Sequence, residues 1–293
     1  MVKCGSKVYA STDIDVDAAD NCCEDNGGDI YMICAGIDYS CDRTWAGKHP
    51  LDTRPAWEMR QDLGRRCSAN VYPIFNQQST IDGVTSMIEQ VGAKVGPDDW
   101  FIFYYTGHGD QLADDDNEEA NGKDSAFCLL GPDRNTEPRQ EVWLRDDDFA
   151  KAITENVTRD AKILVLADCC HSGTIMDLNR PCWDEGDFRA LSISGCTDKQ
   201  TSAGTGKGGM FSRALTKAIQ DCCQELEEGY SVGEVYNRTL QKYQEYKQPG
   251  HTQSITINCS GGLMPKDLKL PLAPDEGYVT KANTTLRGIN VTK

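Results

Sequence analysis

The sequence predicts an α/β fold with a mostly parallel central sheet flanked by helices. Strand-like and helix-like segments alternate along the chain, as they do when right-handed crossovers connect parallel strands. Two segments, Trp100 to Asp110 and Lys162 to Gly173, begin as near-continuous apolar runs, which is typical of strands buried on both faces. Each run stops at a polar cluster, and one cluster contains a His and the other a Cys. Because open α/β sheets carry their sites at the carboxyl ends of such strands, we expect a functional site there.

The other elements are predicted from hydrophobic periodicity and from residues that start or stop helices. Pro55 marks the start of one helix. Ser79 is the first of several residues that favour the start of the next helix, and Gly92 marks its end. We expect helices at residues 55–66, 79–92, 146–155, 211–226 and 231–246. Besides the two apolar runs, we expect strands at residues 31–38, 70–75, 188–194 and 254–259.

Length and charge limit the architecture and the partners. The 293 residues suffice for one large domain, which we place at residues 30–275, between an acidic lead-in without a strand at 1–29 and a tail at 276–293. No run of about 18 apolar residues predicts a membrane span, and no apolar N-terminal segment predicts a secretory signal. We therefore expect a cytoplasmic monomer with no membrane partner. The formal charge of −16 argues against nucleic acid and favours basic peptides and metal ions.

A thiol and an imidazole at neighbouring strand ends form the pair that nucleophilic catalysis needs. A Cys becomes a reactive thiolate when a base or a positive group lies beside it, and His108 can supply that group. Side chains alternate along an extended segment, so only one of Cys169 and Cys170 can face His108. Gly107 and Gly109 flank the His and allow a tight turn and a close approach of substrate. A small apolar core Cys and a hydrogen-bonded core His are the structural alternatives.

The two clusters resemble motifs of the caspase-like (clan CD) cysteine peptidases, and most closely those of the metacaspases. The nucleophile of that family precedes His-Ser-Gly, as Cys170 does, and its base lies in a Ser-Gly-His-Gly turn, which matches residues 106–109. The His lies about 60 residues upstream of the Cys, close to the caspase spacing of about 50. The resemblance runs from about residue 30 to 261 and implies a caspase-like fold, large-subunit-like to about 180 and small-subunit-like from about 187. It implies a dyad of Cys170 and His108, and no third residue that orients His108 is evident.

The resemblance also implies a pocket for a basic side chain at the P1 position of the substrate. Asp168 has the same parity along its strand as Cys170, so we expect its carboxylate on the side of the nucleophile. The matching Asp of metacaspases lines such a pocket, which implies cleavage after Arg or Lys, while a turn hydrogen bond is the alternative role. Thr106 replaces a Ser of the family. Pro55 replaces a second pocket acid, and whether Asp52 compensates is open.

Clustered acidic residues predict Ca²⁺ as the cofactor. Calcium takes six to eight oxygen ligands, and carboxylates from separate loops can supply them. Metacaspases bind it with Asp residues that match Asp124, Asp146, Asp147 and Asp177. Asp177 follows Cys170 by seven residues, so a bound ion can order the loop that carries the nucleophile. Residues 146–148 can also cap a helix, and the acidic run at 114–119 is expected to be a solvated loop.

The 14 cysteines are expected to be mostly reduced, because a chain of this size without a secretory signal does not need disulfides. Cys169 takes a Ser position of the family beside the nucleophile, so it is either a redox thiol or a packed, inert one. Cys196 and Cys259 lie in the small-subunit-like part, where a regulatory disulfide stays open.

We interpret the chain as a calcium-dependent cysteine endopeptidase that cleaves peptides or proteins after Arg or Lys. One alternative is a calcium-responsive binding or scaffold protein on the same fold, because a fold does not determine a function. Another is a thiol-based redox protein, which would need a Cys of low pKa close to a resolving partner.

Overall fold

The structure, a computed structural model, describes residues 8–9, 28–45, 51–115, 122–185, 188–195, 209–226, 229–247 and 254–274. Its strands are β1 Val8–Tyr9, β2 Ile30–Gly36, β3 Asn70–Phe75, β4 Trp100–Thr106, β5 Gly109–Ala113, β6 Lys123–Phe127, β7 Leu144–Arg145, β8 Lys162–Asp168, β9 Arg189–Ser194 and β10 Thr256–Cys259. Its α-helices are α1 Arg54–Arg66, α2 Ile81–Gly92, α3 Arg139–Val142, α4 Asp146–Asn156, α5 Pro181–Glu185, α6 Met210–Glu225 and α7 Val232–Tyr246. None of the described helices is long and apolar enough to cross a membrane.

The predicted α/β fold with a mostly parallel sheet is confirmed. Seven strands form the central sheet in the order β1-β10-β9-β8-β4-β2-β3. Strands β3, β2, β4, β8 and β9 run parallel, and β10 and β1 add to the edge in antiparallel fashion. The two apolar runs, β4 and β8, lie side by side and are buried along their whole length. Their burial on both faces explains why neither run alternates between apolar and polar residues.

Helices cover both faces of the sheet and divide the interior into two cores. Val84 of α2 and Phe149 of α4 pack in the first core. Leu63 of α1, Leu215 of α6 and Val235 of α7 pack in the second core. Side chains of β4 alternate between the two cores because successive residues of a strand point to opposite faces. Helices α1 and α6 lie on the same face of the sheet and contact each other.

The N-terminal segment contributes a strand that the sequence did not predict. Val8 and Tyr9 pair with Asn258 and Ile257 of β10, so the sheet extends into the segment expected to be a lead-in without a strand. Two residues are too few to show a hydrophobic period, and their partners are distant in sequence. The tail expected at 276–293 lies outside the described residues.

A small second sheet, β5-β6-β7, is the other unpredicted feature. Its strands are short and contain Asp, Gln, Ser and Lys, so they lack the apolar runs that reveal β4 and β8. The sheet begins one residue after His108, and its strand β6 contains Asp124. Strand β7 ends immediately before Asp146, the first residue of α4. The second sheet therefore connects the His108 turn to three of the four predicted calcium ligands, Asp124, Asp146 and Asp147.

Candidate active site

The carboxyl ends of β4 and β8 bring the two polar clusters to the same edge of the sheet. The last paired residues of these parallel strands are Thr106 and Asp168. His108 and Cys170 each lie two residues beyond that pair. The two predicted catalytic residues therefore follow adjacent strands at the same height.

Direct backbone packing joins the His108 turn to the Cys170 segment. A Cβ atom built on Gly109 would lie 2.1 Å from the carbonyl oxygen of Cys170 and 3.0 Å from the Sγ of Cys169. A side chain cannot be accommodated at the first of these distances, so glycine at this position permits the close approach. The segments that contain the candidate base and the candidate nucleophile are thus in contact.

Three hydrogen bonds fix the backbone of His108. Its N–H donates to Tyr39 Oη at 2.8 Å, and its carbonyl oxygen accepts from Tyr105 Oη at 2.9 Å and from the Cys128 N–H at 3.1 Å. The centroids of the Tyr39 and Trp45 rings lie 5.0 and 5.7 Å from the centroid of the imidazole. These contacts restrict the imidazole, for which the sequence suggested no orienting residue.

The turn after β8 exposes one of the two adjacent cysteines. Cys169 is buried, whereas Cys170 is partly exposed. His171 adopts a left-handed backbone conformation with φ of 49°, which is strained for a residue other than glycine. Ser172 stabilises the turn by donating from Oγ to the carbonyl oxygen of Cys169 at 3.0 Å. Of the two thiols, that of Cys170 is the one a substrate can reach.

Asp168 lies buried next to Thr106, at the N-terminus of α6. Its Oδ2 accepts a hydrogen bond from the Ser212 N–H at 3.3 Å. Gly209 makes room for this carboxylate, because a Cβ atom there would lie 2.0 Å from Asp168 Oδ2. Asp168 therefore caps α6 from the end of β8. Gly209, the N-cap residue of this helix, has no side chain that could accept the hydrogen bond.

Asp52 differs from the other candidates for the pocket. It is exposed and directly precedes Thr53, the N-cap residue of α1. Within the described ranges it forms no hydrogen bond or ion pair with Thr106 or Asp168. Pro55, which takes the place of the second pocket acid, is also exposed. In the described part of the chain, no contact therefore supports compensation by Asp52.

The four candidate calcium ligands converge close to the Cys170 turn. Carboxylate oxygens of Asp146, Asp147 and Asp177 lie within 4.8 Å of one another, and Asp147 forms a second such group with Asp124 and Asp115. The two groups share Asp147, so we treat them as one acidic site. Asp124, Asp146 and Asp177 are buried. The sequence interpretation missed Asp115, which it assigned to a solvated loop. Residues 116–119 of that run lie outside the described residues.

Arg145 lies among these carboxylates on the side of β6. Its Nη1 contacts Asp124, and its Nε lies 3.3 Å from Asp115 Oδ2. Desolvation raises the pKa of Asp124, and the hydrogen bond and charge of Arg145 oppose that shift. Asp124 is nearly inaccessible to solvent, so Arg145 provides the charge that this buried carboxylate needs.

Arg180 lies on the side of the nucleophile turn. Its Nη2 contacts Asp147, and its Nε lies 3.7 Å from Asp177 Oδ2. Arg180 and Asp177 are three residues apart in the segment that follows Cys170. The acidic site thus has two internal cations, and neither was predicted from the sequence as part of it.

The residues of the acidic site fit a calcium ion. Its donors are carboxylate oxygens, which Ca²⁺ prefers. Oδ1 of Asp124 is a buried oxygen that has no hydrogen-bond partner among the described residues. The Ser125 N–H donates to Asp146 Oδ2 at 2.7 Å, and the hydroxyl groups of Ser125 and Thr174 lie 3.1 Å apart. The site is therefore linked to the turn that contains the nucleophile.

The other predicted redox thiols are buried or lie outside the described residues. Cys259 is buried in β10, and desolvation raises its pKa to about 12. Cys169 is likewise buried. Cys196 lies outside the described ranges. Because the thiolate is the reactive form, Cys259 is unreactive at neutral pH.

Comparison with known proteins finds a family profile that matches part of the chain. The family profile described as "Metacaspase, peptidase C14 domain" matches residues 65–179, a range that contains His108, Cys170 and the acidic site. Over this segment the chain is similar to the metacaspases. The metacaspase resemblance seen in the two sequence motifs is thereby confirmed.

Several curated metacaspases are similar to the chain at low identity. Metacaspase-2 of Arabidopsis thaliana is 27% identical over 175 residues, which are 52% of this chain and 40% of that protein. Metacaspase-3 of Trypanosoma brucei brucei is 26% identical over 208 residues, which are 60% of this chain and 55% of that protein. The chain therefore spans about half the length of the curated relatives it matches. A crystal structure of a Geobacter sulfurreducens protein shares the fold, with a TM-score of 0.61, 20% identity, and coverage of 85% of this chain and 100% of that one.

Proposed function

We propose that this metacaspase-like chain is a calcium-dependent cysteine endopeptidase that cleaves peptides and proteins after Arg or Lys. The observation that carries the proposal is the backbone contact between Gly109 and Cys170, which joins the His108 turn to the accessible thiol. The family profile supports the same class of chemistry, because it matches the segment that contains both residues. The buried carboxylate of Asp168 supports a basic P1 residue.

In the proposed reaction, His108 takes the thiol proton of Cys170, and the thiolate attacks the carbonyl carbon of the P1 residue. A C–S bond forms as the carbonyl electrons move to oxygen, and backbone N–H groups near Gly109 and Cys170 stabilise the oxyanion. The intermediate then expels the amine, which receives the proton from His108. His108 next deprotonates a water molecule that hydrolyses the thioester, and Cys170 regains its proton.

Calcium, when held by Asp124, Asp146, Asp147 and Asp177, would neutralise carboxylates that otherwise repel one another. Three of these four residues are buried, and oxygens from Asp146, Asp147 and Asp177 lie within 4.8 Å of one another. Like charges at such a separation need a cation or protonation. Asp177 belongs to the segment after Cys170, so the charge at the acidic site bears on the position of the nucleophile.

Hydrolysis of fluorogenic peptides with Arg, Lys or Asp at P1, with calcium or with a chelator, tests this proposal. We expect calcium-dependent turnover of the Arg and Lys peptides, no turnover with Cys170→Ala, and reduced turnover with Asp177→Ala. Asp148→Ala is the matched control, because Asp148 is an exposed neighbour of the acidic site. Turnover of the Asp peptide would contradict the pocket assignment. Calcium binding without turnover of any peptide would favour the scaffold alternative.

A further inference from the structure

A fully buried arginine lies on the same face of the sheet as Asp168. Arg60 of α1 has an exposed fraction of 0%. Its Nη2 donates to the Ser212 carbonyl oxygen at 3.5 Å, and its Cζ lies 5.1 Å from the centroid of the Tyr104 ring. Its Nε and Nη1 are buried and have no hydrogen-bond partner among the described residues. A guanidinium stays charged in proteins, so this buried cation needs a nearby anion.

Ser212 of α6 connects Arg60 to Asp168. The Ser212 carbonyl oxygen accepts from Arg60, and its N–H donates to Asp168 Oδ2 at 3.3 Å. The hydroxyl group of Ser212 lies 2.8 Å from Tyr104 Oη. All four residues are buried. One residue of α6 therefore contacts the buried cation, the buried anion and the tyrosine between them.

Arg60 and Asp168 are the buried charged residues that act on Tyr104. Burial raises the pKa of Tyr104, Asp168 raises it further and Arg60 opposes the shift, so the tyrosine is neutral. On β2, burial raises the pKa of Cys34 to about 12, with Arg60 and the exposed Arg65 opposing, so this thiol is neutral as well. Neither Tyr104 nor Cys34 therefore adds a charge to the layer that contains Arg60 and Asp168.

We propose that Arg60 is a positioning residue of the P1 pocket, which keeps the Asp168 carboxylate charged and in place while no substrate is bound. The proposal rests on the proposed function of Asp168 as the pocket acid. A buried carboxylate without a positive neighbour takes up a proton, and a protonated Asp168 would not attract a basic side chain. Arg60 supplies the positive charge from behind the pocket, through Ser212 and Tyr104. The substrate then adds a second cation only for as long as it is bound.

Binding of agmatine, an arginine side-chain mimic, tests this role without catalysis. We would measure it by calorimetry with calcium between pH 5.5 and 8.5, in the Cys170→Ala background. With Arg60→Met, we expect about ten-fold weaker binding at pH 6 and recovery towards pH 8.5, because the pKa of a carboxylate rises when a positive neighbour is removed. Arg60→Lys should keep the background profile, and Arg65→Met is the matched control on the same helix. An Arg60→Met protein with an unchanged pH profile would overturn the proposal.

Two milder substitutions keep the test valid if Arg60→Met does not fold. Tyr104→Phe and Ser212→Ala each remove one hydroxyl group of the link and preserve the ring or the backbone. We expect each to weaken agmatine binding at pH 6 about two-fold to three-fold and to have less effect at pH 8.5, as the loss of one buried hydrogen bond would. Unchanged profiles in both variants would contradict a link between Arg60 and Asp168 that runs through the hydroxyl groups of Tyr104 and Ser212.

The same experiment separates this inference from the proposed function. A wild-type protein that binds agmatine with the expected dependence on Arg60, yet hydrolyses no peptide, would contradict the peptidase proposal and support the inference. A wild-type protein that does not bind agmatine at any pH would contradict both the basic P1 pocket and the role of Arg60. Peptide turnover with a pH profile that Arg60→Met leaves unchanged would contradict the inference alone.

Discussion

The single carboxylate of Asp168 and the carboxylates of the acidic site both have arginine neighbours, but these arginines differ in burial. Behind Asp168, the side chain of Arg60 is fully buried between α1, β4 and α6. In the acidic site, Arg180 retains 20% of its side-chain exposure and Arg145 retains 11%. A fully buried cation cannot leave without opening the core, whereas a partly exposed one can turn towards water. In our proposal, the pocket acid Asp168 therefore has a permanent counter-charge, and the acidic site has counter-charges that a metal ion can replace.

The largest expected effect separates the two regions by their response to calcium. Asp168→Asn and Asp177→Asn should each lower kcat/KM for an Arg peptide about 100-fold at low calcium, because each removes one partner of a buried charge interaction. Raising calcium should restore much of the activity of Asp177→Asn and none of that of Asp168→Asn. Steady-state kinetics across a calcium titration measures this difference. Rescue of Asp168→Asn by calcium would show that the two regions are not separate.

A second contrast concerns stability within the acidic site. Without calcium, Arg145→Met should lower the free energy of unfolding by about 3 kcal/mol, because it leaves the buried Asp124 carboxylate without its cation. Arg180→Met should cost about 1 kcal/mol or less, since Arg180 is itself more exposed than Arg145 and its Nε lies 3.7 Å from the buried Asp177. Urea unfolding with a chelator and with calcium measures both values, and calcium should reduce the Arg145→Met loss. Equal losses would contradict the ranking by burial.

A third, smaller effect tests whether Arg180 and calcium compete. Arg180→Met should tighten calcium binding about five-fold, which corresponds to the loss of an ion pair worth about 1 kcal/mol. Calorimetry measures this affinity directly, without peptidase activity. Lys151→Met is the control, because the Lys151–Glu155 pair is exposed, with 4.0 Å between Nζ and Oε1. Weaker calcium binding in Arg180→Met would mean that Arg180 supports the site.

The smallest expected effect concerns the thiols that burial keeps out of reach. Burial raises the pKa of Cys34 and of Cys259 to about 12 in each case, so both stay protonated at pH 8. Alkylation of the native protein at pH 8 should therefore modify the exposed Cys182 and leave Cys34 and Cys259 unmodified. Peptide mapping by mass spectrometry reads this out. Rapid labelling of Cys259 would revive the redox interpretation.

Much of the fold follows from local patterns in the sequence. The runs at β4 and β8 are apolar on both faces, so their burial and their place in the sheet are predictable from composition alone. The end of α2 at Gly92 was predicted, whereas its start moved from Ser79 to Ile81 because Thr80 caps the helix by accepting from the Gly83 N–H. By contrast, β1 and the second sheet depend on pairing between distant segments and on short polar strands, which leave no periodic signal.

The candidate site divides in the same way. Cys170, His108 and the four candidate calcium ligands were predicted because motifs mark them. The structure brings His108 and Cys170 to one edge of the sheet and groups the carboxylates. Arg60, Arg145 and Arg180 were missed, because a charged residue in a sequence is usually expected to be exposed to solvent. One signal could have revealed Arg60: it stands four residues after Ala56 and three before Leu63, on the buried stripe of α1. A charge inside an apolar helical stripe indicates a buried partner.

The most direct test of the central claim is covalent trapping of the nucleophile. A peptidyl chloromethyl ketone with Arg at P1 alkylates a thiol only where a basic pocket and an activated cysteine coincide. We predict a single adduct on Cys170, formed with calcium, suppressed by a chelator and reduced in Asp168→Asn, as mapped by mass spectrometry of the digested protein. An adduct on Cys169, or equal labelling by a reagent with Asp at P1 or in the absence of calcium, would contradict a calcium-dependent peptidase that uses Cys170 and Asp168.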